Sequence, residues 1–205
     1  MSQPYILVLY YSQYGSTKQL AYHIAQGIED SNMGLTARIR TVPKIATQTQ
    51  VFEAGAKPTI PEAGDLYATM DDLKNGVGLA LGSPTHFGNM AGAMKHFWDS
   101  TVTLWLAGDL QNKPACVFSS TGSMHGGQET TLVRMMLPLL HHGMILVGVP
   151  YSEAALNKTE HGGTPYGVTH VSGASHDNPL HEMEKQLAIA QGKRLATVAK
   201  ALSNL

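Results

Sequence analysis

Six residues near the start of the chain, Ser12 to Thr17 (S-Q-Y-G-S-T), set hydroxyl side chains around a glycine just ahead of a helical pattern. A loop of that make, at the head of a helix, suits an anion and above all a phosphate. Its backbone N–H groups point at the anion, the helix dipole favours negative charge, and Ser12, Ser16 and Thr17 add O–H donors. Gly15 lets the backbone come close without a Cβ in the way. Two better-known phosphate loops are excluded here, because neither G-x-x-x-x-G-K-[ST] nor G-x-G-x-x-G is present. The plainer alternative is an ordinary strand–helix junction with Ser16 or Thr17 as its cap.

Two more loops of the same kind follow, Ser83 to Asn89 and Ser119 to Gly127, each rich in Ser, Thr and Gly. All three are preceded by apolar runs: Tyr5 to Tyr11, Gly76 to Leu81 and Pro114 to Ser119. Unbroken apolar runs rich in β-branched and aromatic residues are how strands buried on both faces read in a parallel sheet. Gly34 to Thr41 alternates like an edge strand, and Met144 to Val149 reads as a further buried strand. Helical spacing marks Leu20 to Ile28, a stripe from Met90 to Trp105 that Asn89 is placed to cap, the stretch Glu129 to His142, and a last helix from Leu180 to Leu202. Residues 43 to 65 read as a surface excursion, with a short helical piece over Leu66 to Leu73. Pro150 to Pro179 reads as a loop, long enough to be functional or interfacial. The tally is a doubly wound parallel α/β sheet, in which ligands bind beyond the carboxyl ends of the central strands. Those ends are where the three hydroxyl-rich loops fall.

With 205 residues, one compact domain spanning 1–205 is expected. A net charge of −1 gives no sign of nucleic acid or anionic membrane as a partner. Charged residues make up 14%, against an average of about 25%, which leaves the surface open to association and predicts extensive subunit contacts. No run of about 18 apolar residues and no charged-then-apolar leader occurs, so a cytosolic location is expected and no integral membrane segment. Cys116, in A-C-V-F, reads as a buried structural thiol. Ten histidines form no H-E-x-x-H or other closed ligand pattern, so no metal is expected. Phe97 and Trp98 read as core, and His141 and His142 as a helix C-cap ahead of Gly143.

Five motifs in order identify a family. They are S-Q-Y-G-S-T, S-P-T-H-F-G-N-M, F-S-S-T-G-S-M-H-G-G-Q-E, L-H-H-G-M and H-G-G-T-P-Y-G, and they span almost the whole chain. Together they resemble the flavodoxin-like NAD(P)H:quinone oxidoreductases of the tryptophan-repressor-binding-protein (WrbA) family. The resemblance implies a five-stranded parallel sheet of order 2-1-3-4-5 with helices on both faces, non-covalent FMN, a homotetramer, and two-electron reduction of quinones by NADH or NADPH. Ser12, Gln13, Tyr14, Gly15, Ser16 and Thr17 resemble the FMN phosphate cradle, with Tyr14 also near the nicotinamide dinucleotide. Pro84, Thr85, His86, Phe87, Gly88 and Asn89 resemble the loop along the isoalloxazine ring. Ser119, Ser120, Thr121, Gly122, Ser123 and Met124 resemble the third FMN loop. His141 matches a histidine that lines the ring, and Trp105 the tryptophan of the substrate cavity; with Phe87 they are the candidates nearest the chemistry. The family's commonest middle loop, T-R-F-G-N, has Arg where His86 stands, and the third loop here is one residue longer around Met124 and His125. A single open ring face serving both substrates implies ping-pong kinetics. A flavodoxin-type single-electron carrier shares the fold and the FMN and is the alternative.

Overall fold

A computed structural model of the chain describes residues 3–45 and 64–202. Strand β1, Tyr5–Tyr10, is buried along its whole length. Its side chains divide by parity: Ile6, Val8 and Tyr10 join one apolar layer, Tyr5, Leu7 and Leu9 the other. A strand with a core on both sides has no polar face to show, which is why the run reads as continuous. Parallel β2, Thr36–Thr41, lies on one side of β1 and β3, Gly78–His86, on the other. Next to β3 comes β5, Pro114–Thr121. Beside β5 lie β6, Ile145–Leu146, and β7, Gly167–Val171, so the sheet order is β2-β1-β3-β5-β6 with β7 also on β5, and the 2-1-3-4-5 arrangement holds with two short strands sharing its last place.

Helix α1, Ser16–Glu29, and α7, Glu182–Leu202, cover one face. They pack backbone to backbone: a Cβ on Gly27 would stand 2.1 Å from the Ile189 carbonyl oxygen, and one on Gly192 2.2 Å from that of Ile24. The other face is covered by α3, Gly92–Asp99, α4, Val102–Ala107, and α5, Gln128–His141. Short α2, Met70–Asn75, is tied to the β2 edge by Asp72, which accepts from Arg38 and Arg40 at 3.1 Å each and closes a capping box with Thr69.

Four expectations are corrected. The second buried strand does not stop at Leu81. It runs through Gly82, Ser83 and Pro84 to His86, where the Ser83 and Pro84 positions still pair with Ser119 and Ser120 of β5. Asn89 caps no helix; it sits in β4, Asn89–Met90, folded back on Thr85 and His86, and α3 starts behind Ala91, whose N–H donates to the Ser83 hydroxyl. Only Ile145–Leu146 of the run to Val149 forms a strand, β6. The long segment after Pro150 is no plain loop: it holds α6, Ala154–Lys158, and β7, Gly167–Val171, which pairs with Val117 to Thr121 of β5. Most of the 43–65 excursion lies outside the described residues.

Candidate functional site

The first loop leaves β1 and enters α1 through Gly15, at φ +98°. That left-handed corner is glycine's own territory, and it turns the Gly15 N–H onto the Ser12 hydroxyl oxygen at 3.0 Å. Neither Ser16 nor Thr17 caps the helix, contrary to the capped-junction reading; no side chain caps α1 at all. The leading N–H groups of a 14-residue helix are thereby left facing the loop. Thr17 instead shares a 2.8 Å hydrogen bond with Ser120 of the third loop, both buried.

The middle loop is the tip of a two-residue hairpin, Phe87 at φ +54° and Gly88 at φ +71°. Both central residues left-handed is the turn that matches the twist of paired strands. It carries Phe87 fully into solvent, while Arg134 of α5 grips the Gly88 carbonyl at 3.1 Å. Hydroxyls tie this loop to its neighbours: Ser119 of the third loop donates to the Ser83 carbonyl at 2.9 Å, and Thr131 of α5 donates to Thr85 at 3.1 Å. The third loop is closed by Thr121 donating to Ser123 O at 2.8 Å and Gln128 donating to Met124 O at 2.7 Å. Gln128 in turn accepts from Thr169 of β7.

Between the loops lies a narrow cleft of about 60 Å³, on the scale of a phosphate head and too small for a flavin ring. The first loop lines it with Ser12, Gln13, Tyr14, Ser16 and Thr17, the middle loop with Pro84, Thr85 and His86, and the third with Ser120, Thr121 and Gly122. Among the described residues no Asp, Glu, Lys or Arg lines it, so the donors there are N–H and O–H groups at a helix head, together with imidazole. That set fits a phosphate. Gly15, Phe87, Gly88, Asn89, Ser119, Ser123 and Met124 support these loops without lining the cleft; Ser119 is wholly buried beneath it. Tyr14 in the cleft wall, and Phe87 and Met124 in the flanking loops, expose large apolar surface.

Trp105 and His141 are elsewhere. They line a second, apolar cavity of about 650 Å³ with Met90, Trp98, Leu137 and Pro138, reaching the middle loop only at Asn89. The Trp105 indole N–H donates to the His141 carbonyl at 2.9 Å, pinning the ring to the end of α5. That end is the cap the sequence suggests: His142 is the C-cap, Gly143 follows at φ +72°, and the N–H groups of Gly143 and Met144 return to Leu140 and Leu139. Thr101 gives its hydroxyl hydrogen to Trp98 O, so His142 Nε2, 2.9 Å from that hydroxyl, must carry the proton between them. Burial, with His141 alongside, holds the His142 pKa below its ordinary value and the ring neutral. Trp98 is core, as expected, and Cys116 is a buried thiol whose burial pushes its pKa up to about 12.

Two residues of the cleft escaped the sequence reading. Ser172 and His176 line it from the segment after β7. The available signal was Gly167 to Ser172, G-V-T-H-V-S, a strand-like stretch whose Thr169 and His170 disguise its burial.

A parallel doubly wound sheet with its hydroxyl-lined cleft beyond the carboxyl ends of the central strands defines a flavodoxin-like protein. Solved structures agree on the fold. A WrbA-like flavodoxin from Agrobacterium tumefaciens superposes with a TM-score of 0.65 at 20% identity, covering 98% of this chain and 99% of that one. Flavodoxin 2 from Bacillus cereus gives 0.55 at 15% identity, with 98% of each chain covered. The chain belongs to the NADPH-dependent FMN reductase family, whose model matches residues 4–158. A relative from Solidesulfovibrio magneticus, an NAD(P)H dehydrogenase (quinone), is 38% identical over 200 residues, 96% of this chain and 98% of its own.

Proposed function

We propose that this chain is an FMN-dependent NAD(P)H:quinone oxidoreductase, reducing quinones to hydroquinones two electrons at a time. The observation that carries the reading is the cleft of N–H and O–H donors at the head of α1, with no carboxylate among its described lining residues, at the switch point of the sheet. When bound there, FMN supplies the redox chemistry; the chain supplies position, electrostatics and access. We assign the phosphate to Ser12 through Thr17 with Ser120 and Thr121, and the ring to the edge formed by Pro84 through Asn89 and Ser119 through Met124. Tyr14 and Phe87 wall the open face on which a nicotinamide and then a quinone lie. His141 and Trp105 line a cavity apart from the cleft within one chain. We therefore infer that a neighbouring copy brings them to the open face, in a homotetramer. The full chain acts as one FMN-binding domain, and we place it in the cytosol.

The test is anaerobic. Purified protein loaded with FMN is mixed with NADH or NADPH and a benzoquinone. Expected are equal yields of oxidised nicotinamide and hydroquinone, and parallel initial-rate lines because the first product leaves before the quinone enters. Comparing the donors ranks NADH against NADPH with His86 in the middle loop. Intersecting lines would rule out the ping-pong order. Protein that binds FMN but consumes neither nicotinamide is the single-electron carrier instead.

A further inference from the structure

The geometry points to a fourth cofactor loop, the strap Ser172 to Asn178, in which the His176 imidazole donates from Nε2 to the phosphate of FMN. The inference rests on the FMN reading above and adds to it a residue outside the three loops.

The strap follows β7 directly, so it leaves the sheet at the same end as the other three loops. Ser172 and His176 line the phosphate-sized cleft together with them. The His176 ring lies flat on Tyr14, with centroids 4.4 Å apart and planes 11° from parallel. Its Cε1 would be 3.7 Å from a Cβ on Gly122. One imidazole thus bridges the first loop and the third across the cleft.

The strap is built to hold that ring. The Ser172 N–H and hydroxyl both donate to Thr121 O, at 2.8 and 3.0 Å. The Asn178 N–H closes the strap on Ser172 O at 3.0 Å. Beneath it, His170 lies between the Glu184 carboxylate, 2.7 Å from Nδ1, and the Asn178 carbonyl, 3.1 Å from Nε2. His176 itself sits at φ +59°, a backbone region that a non-glycine residue rarely takes.

Hydrogen-bond bookkeeping fixes the ring's polarity. Ser172 Oγ uses its one hydrogen on Thr121 O, so at 3.3 Å from His176 Nδ1 it can only accept. Nδ1 therefore carries a hydrogen, and Nε2 has no partner among the described residues. A dianionic phosphate only accepts, so a hydrogen bond from Nε2 to it needs the ring protonated there as well. The titratable groups around that ring are Tyr14 stacked on it, His86 across the cleft, and Asp177 next in the chain; the third loop offers only neutral Ser120, Thr121 and Gly122. With no Lys or Arg among the described residues that line the cleft, His176 and His86 are the side chains there, of those described, that can meet the phosphate with positive charge.

Riboflavin is FMN without the phosphate, so the pair isolates this contact. Fluorescence titration of the wild type is expected to show FMN bound more tightly than riboflavin. His176→Ala should weaken FMN about tenfold, or about 1.4 kcal/mol, and riboflavin less than about twofold on the size of a hydrogen bond to a charged group. His176→Gln, which keeps an N–H donor, should recover part of the loss. On the wild type, 15N NMR of the histidine rings should show the His176 Nε2 resonance move with FMN and stay with riboflavin, a reading independent of how the variants fold. Equal weakening of both flavins, no weakening of either, or an Nε2 signal indifferent to the phosphate would each overturn the assignment and leave the FMN reading standing. A wild type that binds no FMN would overturn both.

Discussion

Thr17 and Ser120 share one hydrogen bond, 2.8 Å between two hydroxyl oxygens that are both buried at the cleft wall. One of the two must donate to the other, so the pair has a single hydroxyl hydrogen left for a ligand. Ser12 differs, because its oxygen accepts from Gly15 and its hydrogen has no acceptor among the described residues. Thr17→Val and Ser120→Ala should each weaken FMN by about 1 kcal/mol, roughly fivefold, on the usual worth of a neutral hydrogen bond. The double variant should cost little more than either alone, since the second change removes a group already without its partner. Losses that simply add in flavin titrations would mean each hydroxyl contacts the ligand by itself. Ser12→Ala, by contrast, should add fully to Thr17→Val.

At the level of elements, the start of α7 is locked to the segment after Pro150 through one carboxylate. Glu184 accepts from His170 Nδ1, from the N–H groups of Gly162 and His181 at 2.9 Å each, and from Val171 at 3.3 Å. Burial pushes its pKa up, but the His170 hydrogen bond and charge and the backbone N–H groups outweigh that and hold it below the ordinary 4.5. A carboxyl whose folded pKa lies below its unfolded one contributes in full above the unfolded value and loses that contribution as pH falls through the folded one. The thermal stability of the wild type should therefore fall on the acid side of 4.5. Glu184→Gln should cost about 3 kcal/mol near neutrality, because it strands His170, and should flatten that acid limb. An unchanged acid limb would place the linkage in other groups. This lock also explains what the sequence hid. The β1–loop–α1 unit was legible because an apolar strand, a glycine corner and a 3.6-residue stripe all announce themselves. β7 was not, because its buried positions are filled by Thr169 and His170, whose partners Gln128 and Glu184 lie 41 and 14 residues away. Pro84 misled in the opposite sense, since it reads as a strand end and yet continues β3 beside Ser120.

Over the whole molecule, the residues the sequence assigned to one site fall into two. The cleft holds the three hydroxyl-rich loops, and the cavity between α3, α4 and α5 holds Trp105 and His141. Around that cavity, Val102, Trp105, Leu106, Leu137 and Leu140 are each at least half exposed, and the fully exposed Phe87 stands out from the middle loop. Apolar surface on this scale marks an interaction site on a monomer, and a chain of low charge has little else to resist association. A copy seated against α4 and the end of α5 would cover that patch and could complete the open face of the neighbouring cleft. The prediction is that light scattering finds four chains of 22.0 kDa each in the FMN-loaded protein. Leu106→Glu, which puts a charge on the patch, should lower the mass while leaving FMN affinity within about twofold, as the substitution touches neither loop nor strap. Quinone turnover per bound flavin should fall with the mass, and Trp105→Ala should lower turnover in the same way without changing the mass. Turnover that survives in the dissociated Leu106→Glu protein would show that one chain carries the complete site, and that the Trp105–His141 cavity serves some other end.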